Sequence, residues 1–225
     1  MNKSTAKTRR RTALSALAIA STALLAAACS SETPASPDAA TSESPAAVTS
    51  AAVPPAEETA LTCGGAGTDG SAQIRYQSEI MIDAPLSTVW NLHTDVQSWP
   101  TWQQPVTSMN SAGPLAAGSQ FQWTTPAPAT ATTPATTLTI TSTVHELEPD
   151  SCVRWSGPAV GDGLSIDNGT HVWNFSEVDG GVLVKTEETW TGAQVEADVP
   201  TSTMFLGAGL DAWLAEMKTT AEAQS

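Results

Sequence analysis

The fold of this chain is indicated best by one run of residues, Ile80-Met81-Ile82-Asp83-Ala84-Pro85-Leu86-Ser87-Thr88-Val89-Trp90. The alternation of apolar residues that leads into Asp83 predicts a strand with one buried face, over residues 72–82. Pro85 breaks a strand ladder but suits the first turn of a helix. We therefore predict that the strand ends here and that a short helix follows over residues 86–94.

The same stretch, followed by Trp99-Pro100-Thr101-Trp102, resembles the opening of the SRPBCC superfamily of START-like, polyketide cyclase/dehydrase and lipid-transport proteins. There an apolar-x-Ala-Pro-x-x-x-Val-Trp signature joins the first strand to a helix pair. The resemblance covers roughly residues 73–222 and implies an α+β helix-grip fold. In that fold a curved antiparallel sheet of about seven strands wraps around a long C-terminal helix, with two short helices after strand one. The fold hosts carriers, cyclases, hydrolases and regulators alike, so it implies no single function.

Residues 63–225 are expected to form this one domain. A second short helix is predicted over residues 96–103, and a long one over residues 201–221, directly after Pro200. A Gly-rich loop over residues 157–169 either gates a cavity mouth or is an ordinary connection. Further strands are predicted over residues 106–110, 120–124, 138–147, 151–157, 170–178 and 182–190.

Two turns predict how neighbouring strands pair. Asp179-Gly180 between alternating runs indicates a tight hairpin, and Pro149-Asp150 indicates another turn. A β-bulge in either hairpin would shift the pairing. Counting outward gives the pairs Phe175–Val184, Trp173–Thr186 and His171–Glu188 on one face of the sheet, and the pairs Val144–Trp155 and His145–Arg154 in the second hairpin.

Residues 1–28 have the pattern of a lipoprotein signal peptide. Five basic residues precede an uncharged apolar run that is too short to cross a hydrocarbon core of ~30 Å. The small residues Ala26-Ala27-Ala28 before Cys29 resemble a bacterial lipobox, in which the cysteine is diacylated. The resemblance implies an exported protein held on the cell membrane by a lipid on Cys29. An ordinary cleaved signal peptide is the alternative.

Residues 29–62 are rich in Ala, Ser, Thr, Pro and Glu, and they contain too few large apolar residues to form a core. We predict a disordered tether between the lipid and the domain. With Cys29 lipidated, Cys63 and Cys152 remain. An even pair of cysteines in an exported chain favours a disulfide over two free thiols.

The charge of the chain excludes two classes of partner. Of the nine basic residues, five lie in the signal peptide, so four would remain against 23 acidic residues, a formal charge of −19. Nucleic acids and anionic lipid surfaces both require a basic footprint. Contact with the membrane is therefore expected only through the acyl anchor.

The predicted inward faces carry many of the eight Trp residues. Core packing is the simpler role for most of them, but a Trp-lined cavity suits a flat apolar ligand or a lipid. Gly207 and Gly209 in the last helix either make room for such a ligand or allow close packing. Trp90 is assigned to the core, and Trp99 and Trp102 to the loop after the first helix. The candidate ligand-binding residues are Trp123, Trp155, Trp173, Thr186, Trp190, Leu206, Leu210, Trp213 and Met217.

One polar pair, His171 and Glu188, is a candidate acid–base catalyst. The predicted register makes them cross-strand neighbours, and the carboxylate is expected to raise the pKa of the imidazole. A structural pair near a strand end is the alternative. His93 and His145 form no metal-binding spacing, and no cofactor fingerprint is found, so neither a metal nor a cofactor is expected.

Three functions are compatible with these features. The favoured one is an extracytoplasmic, lipid-anchored binding protein that holds a hydrophobic small molecule or lipid between the sheet and the C-terminal helix. An enzyme of the polyketide-cyclase or hydrolase type would need His171 and Glu188 to face a polar pocket. An envelope interaction scaffold would have a solidly filled interior. The thin inventory of acid–base groups favours binding over catalysis.

Overall fold

Seven antiparallel strands form a single curved sheet in the computed structural model, which describes residues 59–225. The predicted signal peptide, Cys29 and most of the predicted tether lie outside the described residues. The strands are β1 (Ile74–Ile82), β2 (Ser108–Ser111), β3 (Gln120–Ala127), β4 (Thr136–Glu148), β5 (Cys152–Gly161), β6 (Leu164–Val178) and β7 (Gly181–Thr191), in the spatial order β1-β7-β6-β5-β4-β3-β2.

The helices lie where the sequence pattern predicts them, with one addition. α1 (Leu86–Thr94) begins directly after Pro85, whose backbone is extended, and a 3-10 helix (Val96–Thr101) follows. The short α2 (Ala193–Glu196) was not predicted. α3 (Val199–Glu222) is capped by the side chain of Asp198, which accepts a hydrogen bond from the backbone of Thr201 at 3.1 Å. The predicted α+β helix-grip class is confirmed.

The predicted register is confirmed for the β6–β7 hairpin, whose turn is Asp179-Gly180. Val144 also pairs with Trp155 as predicted, but the His145–Arg154 pair is wrong. The register shifts between Val144 and Glu146, so that Glu146 faces Arg154. A β-bulge places two residues of one strand opposite one of its neighbour, which turn counting does not reveal.

The loop predicted over residues 157–169 is also wrong, because β5 and β6 continue through most of it to a turn at Asp162-Gly163. Gly157 and Gly169 are paired across these strands, next to a second register shift. A side chain at Gly157 would place its Cβ 1.8 Å from the carbonyl oxygen of Thr141. The glycine therefore marks a close approach of two strand backbones rather than a loop.

Two clusters of buried side chains fill the space between α3 and the sheet face that α3 covers, called here the inner face. The larger cluster contains Trp173 from β6, Trp213 from α3 and Trp99 from the 3-10 helix. The smaller one contains Leu206 and Leu210 of α3, with Trp190 packed against it. Trp99 lies within the 3-10 helix and is fully buried, so its assignment to a loop was wrong.

On the opposite, outer face, the segment that precedes β1 packs onto the sheet. Leu61, Cys63, Cys152 and Val172 form a small buried cluster, and Cys63 and Cys152 are joined by a disulfide with their Cα atoms 5.6 Å apart. The end of the predicted tether therefore contacts the domain at Leu61. Within residues 59–225, no helix is both long and apolar enough to cross a bilayer.

Candidate ligand-binding site

His171 and Glu188 lie side by side on the inner face, on β6 and β7. His171 Nδ1 is 3.4 Å from Glu188 Oε2, and His171 Nε2 is 2.6 Å from the hydroxyl oxygen of Thr186. The indole N–H of Trp190 donates to Glu188 Oε1 at 2.8 Å. Two hydrogen-bonded pairs, His171–Thr186 and Trp190–Glu188, thus lie next to each other and border both buried clusters.

Burial controls the charge of this pair. It raises the pKa of Glu188 to about 7, although the Trp190 hydrogen bond acts in the opposite direction. Burial, with a smaller contribution from His93, holds the pKa of His171 well below its ordinary value. The expected rise in the pKa of His171 is therefore wrong. Desolvation of the imidazolium outweighs a carboxyl group that is itself readily protonated.

Glu188 keeps a partial route to solvent. About 19% of its side-chain surface is accessible, whereas His171 has 9% and Thr186 is fully buried. Trp190 and Trp123 on the same inner face are only half-buried. These three side chains are therefore partly accessible members of the inner face.

The predicted ligand-binding residues fall into two groups. Trp123, Trp155, Trp173 and Trp213 belong to the larger cluster, and the ring centroid of Trp213 lies 5.6 Å from that of Trp123 and 6.2 Å from that of Trp173. Met217 is fully buried in the same cluster, and Thr186 lies beside His171. Trp190, Leu206 and Leu210 belong to the smaller cluster. The structure therefore does not bring all the predicted residues to one point.

His93 is the residue that the sequence analysis missed. It is fully buried, and its ring centroid lies 4.5 Å from that of Trp173, 5.6 Å from that of Trp155 and 5.3 Å from that of Phe175. Burial lowers its pKa to about 3, so the ring is neutral. Its spacing of four residues after Val89, on the buried side of α1, was the signal that could have found it.

Several buried polar atoms on this side of the sheet have no hydrogen-bond partner. Both ring nitrogens of His93 are among them. By contrast, the indole N–H of Trp99 donates to the carbonyl oxygen of His93 at 2.8 Å. Native interiors leave few such atoms unpaired, so this concentration calls for an explanation. The other unpaired atoms are the indole nitrogens of Trp102, Trp123, Trp173 and Trp213, and the amide oxygen of Gln103.

An open groove of about 470 Å³ runs between the 3-10 helix and the end of α3. Trp102 forms part of its wall, and the ring of Trp102 lies 6.3 Å from that of Trp213. The groove therefore reaches the edge of the larger aromatic cluster. A second, more polar groove lies on the outer face beside Asn174 and Lys185.

The two glycines of α3 have different surroundings. A Cβ at Gly207 would lie 2.7 Å from a ring carbon of Tyr76, so this glycine allows the helix to pack closely on β1. Gly209 is exposed and has nothing within 4 Å of such a Cβ, so it does not line the inner face. Close packing explains Gly207, and the expectation that the pair makes room for a ligand is not supported at either position.

Among residues 59–225, no group of three or more His, Cys, Asp or Glu side chains is arranged to hold a metal ion. The polar groups available to a bound molecule on the inner face are instead indole N–H groups, neutral imidazoles and one carboxyl group.

The fold recurs in solved structures of low sequence identity. The di-domain ARO/CYC StfQ from the steffimycin biosynthetic pathway matches with a TM-score of 0.54 and 15% identity, over 67% of this chain and 51% of that chain. TTHA0849 from Thermus thermophilus matches with a TM-score of 0.52 and 17% identity, over 67% of this chain and 99% of that one. The hypothetical protein jhp0584 from Helicobacter pylori matches with a TM-score of 0.51 and 16% identity, over 68% of this chain and 90% of that one. These similarities show the fold alone, and this chain spans about half the length of StfQ.

Comparison with curated proteins finds no significant match. The family described as polyketide cyclase / dehydrase and lipid transport matches residues 73–222, which is more than half of the chain. Proteins of this family generally bind hydrophobic ligands. The match includes the strand-to-helix signature around Pro85 that first suggested the resemblance. The chain belongs to the polyketide cyclase / dehydrase and lipid transport family of the SRPBCC superfamily.

Proposed function

We propose that this protein is an exported, lipid-anchored binding protein that holds a hydrophobic small molecule or lipid between α3 and the inner face of the sheet, in a space that aromatic side chains fill in the free protein and must partly vacate when the ligand enters. The observation that carries the proposal is the aromatic lining of that space. It is contributed by the sheet, the 3-10 helix and α3 together, and its members Trp102, Trp123 and Trp190 are only half-buried. Aromatic surface that is left partly open on an inner face is typical of ligand sites.

The groove beside Trp102 supplies a route into this space. Because Trp102 follows a six-residue 3-10 helix and is itself half-buried, its side chain can move with less disruption than the fully buried Trp99 or Trp173. Displacing the Trp102 ring would uncover Trp213, whose ring lies 6.3 Å away.

The anchoring half of the proposal rests on Ala26-Ala27-Ala28-Cys29 after the apolar run. The disulfide between Cys63 and Cys152 suits an oxidising compartment. Replacing Cys29→Ala should release the protein from membranes or block its processing. Unchanged membrane association, without an acyl mass on the N-terminal peptide, would contradict the anchor.

Native mass spectrometry of protein purified from its own cell envelope tests the binding function. A co-purified small molecule that is lost on unfolding, and depleted in Trp213→Ala but retained in the surface variant Lys185→Ala, is the expected result. A wild-type protein that carries no small molecule and gains no thermal stability from any hydrophobic compound tested would contradict the proposal. If a protein co-purified instead, the scaffold function would be favoured.

Catalysis is the second candidate, and the geometry of His171 and Glu188 favours it. A carboxyl group with a pKa of about 7, held 3.4 Å from a neutral imidazole, can give or accept a proton at neutral pH. His171→Gln should then abolish turnover of a bound substrate and leave its affinity largely unchanged. Equal turnover by wild type and variant would leave the pair a structural role.

A further inference from the structure

Four unpaired indole N–H groups belong to a single cluster of rings. The rings of Trp102, Trp123 and Trp173 each lie within 6.3 Å of the ring of Trp213, and all four indole nitrogens are buried without a partner. An indole N–H can only donate a hydrogen bond. The cluster therefore presents several donors in a place that water reaches poorly.

His93 adds a donor and an acceptor to the same cluster. Its ring is neutral, since burial lowers its pKa to about 3, so one ring nitrogen carries a proton and the other accepts. Neither nitrogen has a partner within the described part of the chain. A phenylalanine would fill this position without burying polar atoms, so the histidine is costly for the fold.

Among the described residues, no Lys or Arg side chain is left free on the inner face to pair with an anionic ligand. The four Lys and Arg residues in the described range are all bonded elsewhere. Arg75 contacts Glu187, Arg154 donates to the carbonyl oxygen of Gly67, Lys185 pairs with Glu79, and Lys218 donates to the carbonyl oxygen of Met81. A carboxylate brought into this space would lose its hydration without gaining a counter-ion, and it would also meet Glu188.

We propose that the interior selects an uncharged ligand whose flat apolar body carries carbonyl oxygens, and that it rejects fatty acids and other carboxylates of similar size. This inference rests on the proposed binding function and specifies its ligand class. The carbonyl oxygen accepts from the indole N–H groups around Trp213, and the apolar body stacks on the same rings. Each new hydrogen bond satisfies a donor that is otherwise buried and unpaired.

Three matched probes test the proposal: fluorene, 9-fluorenone and fluorene-9-carboxylate, which share one ring system. Equilibrium dialysis of the purified full-length chain gives the affinity for each probe. We expect 9-fluorenone to bind about 10-fold more tightly than fluorene, because one satisfied buried donor is worth roughly that factor. The carboxylate should bind more weakly than both.

Trp173→Phe and Trp213→Phe remove an unpaired donor and keep an aromatic ring. Each should weaken 9-fluorenone binding about 3- to 10-fold and fluorene binding much less. Trp99→Phe is the matched control, because the Trp99 N–H is already bonded to the backbone of His93, and it should preserve the ratio of the two affinities. Melting temperatures of all variants report whether each one folds.

The wild-type comparison is decisive even if a variant fails to fold. Equal affinity for fluorene and 9-fluorenone, or tightest binding of the carboxylate, would overturn the ligand class and leave the binding function standing. Absence of binding for all three probes would overturn both.

Discussion

On the outer face of the sheet the buried carboxylate of Glu187 meets three donors, whereas on the inner face the buried ring of His93 meets none. Glu187 accepts from the backbone N–H of Leu61 at 2.9 Å, from the hydroxyl of Thr68 at 2.7 Å and from the guanidinium of Arg75. His93 is buried to the same degree, its ring lies against four aromatic side chains, and neither ring nitrogen has a hydrogen-bond partner among residues 59–225. The carboxylate on the outer face is therefore fully paired, whereas this imidazole on the inner face is not.

The difference distinguishes polar groups that stabilise the fold from polar groups that are left for a ligand. Satisfied polar groups fix one arrangement of the chain, as Glu187 fixes the segment that leads into β1. Unpaired buried groups destabilise the free protein, and natural proteins concentrate such exceptions at functional sites. We therefore infer that the outer face is structural, and we propose the inner face as the binding site.

The largest predicted effect concerns the outer face. Glu187→Gln leaves the Arg75 guanidinium facing an amide and weakens the bonds from Leu61 and Thr68. We expect a loss of about 3 kcal/mol in the free energy of unfolding, because the buried carboxylate accepts three hydrogen bonds and an amide would turn its NH2 group toward some of the same donors. Urea unfolding measures this loss.

The exposed pair Lys185–Glu79 is the matched control, with side chains 38% and 56% accessible. Lys185→Gln should cost less than about 1 kcal/mol. Similar losses in the two variants would show that the outer face is not the structural anchor.

The second effect is a loss of stability in acid. His93 and His171 have folded pKa values below their unfolded ones, so each resists protonation and favours the unfolded state as pH falls through 6.5. Glu188 has a folded pKa of about 7, above its unfolded value of 4.5, so its contribution to stability falls as pH rises through this range and offsets one histidine. Between these pKa values the unfolded chain therefore binds one more proton than the folded chain does.

Each net proton changes the free energy of unfolding by about 1.4 kcal/mol per pH unit. Stability should therefore drop by roughly 3 kcal/mol between pH 6.5 and 4.5, and His93→Phe should flatten most of that slope. Urea unfolding at four pH values across the range provides the test. A slope that is unaltered by the substitution would place the acid sensitivity elsewhere.

A smaller effect distinguishes packed from open positions on α3. Gly207→Ala forces a Cβ against the Tyr76 ring, which is also held by a hydrogen bond to Asp211 at 3.0 Å. A net loss of about 1 kcal/mol is expected, since the overlap exceeds the gain in helix propensity. Gly209→Ala meets nothing and should stabilise the helix by up to ~1 kcal/mol. Thermal unfolding of both variants shows whether stability falls at Gly207 and rises at Gly209. A Gly207→Ala variant that is more stable than wild type would mean that the Tyr76 ring moves freely.

Local sequence signals predicted most of the fold. Pro85 fixed the junction between β1 and α1, and Asp179-Gly180 fixed the register that brings His171 beside Glu188. Both depend only on residues close in sequence. The bulge after Val144 and the close approach at Gly157 depend on neighbouring strands, so no local pattern revealed them.

The candidate site was harder to predict for the same reason. Trp173 and Trp213 could be placed inward from strand and helix periodicity. Whether an indole N–H finds a partner depends on distant backbone, as the bond from Trp99 to His93 shows. The sign of the pKa shift at His171 likewise depends on burial by several elements, which a single carboxylate neighbour does not indicate.

Urea unfolding of His93→Phe, with and without 9-fluorenone, shows whether the unpaired polar groups of the inner face serve a ligand. If His93 serves a ligand, the variant should be about 1–2 kcal/mol more stable than wild type at pH 7, because two unpaired polar atoms leave the core. It should also gain less stability from the ligand, which reports weaker binding. A variant that is less stable than wild type and is stabilised equally by the ligand would contradict the account.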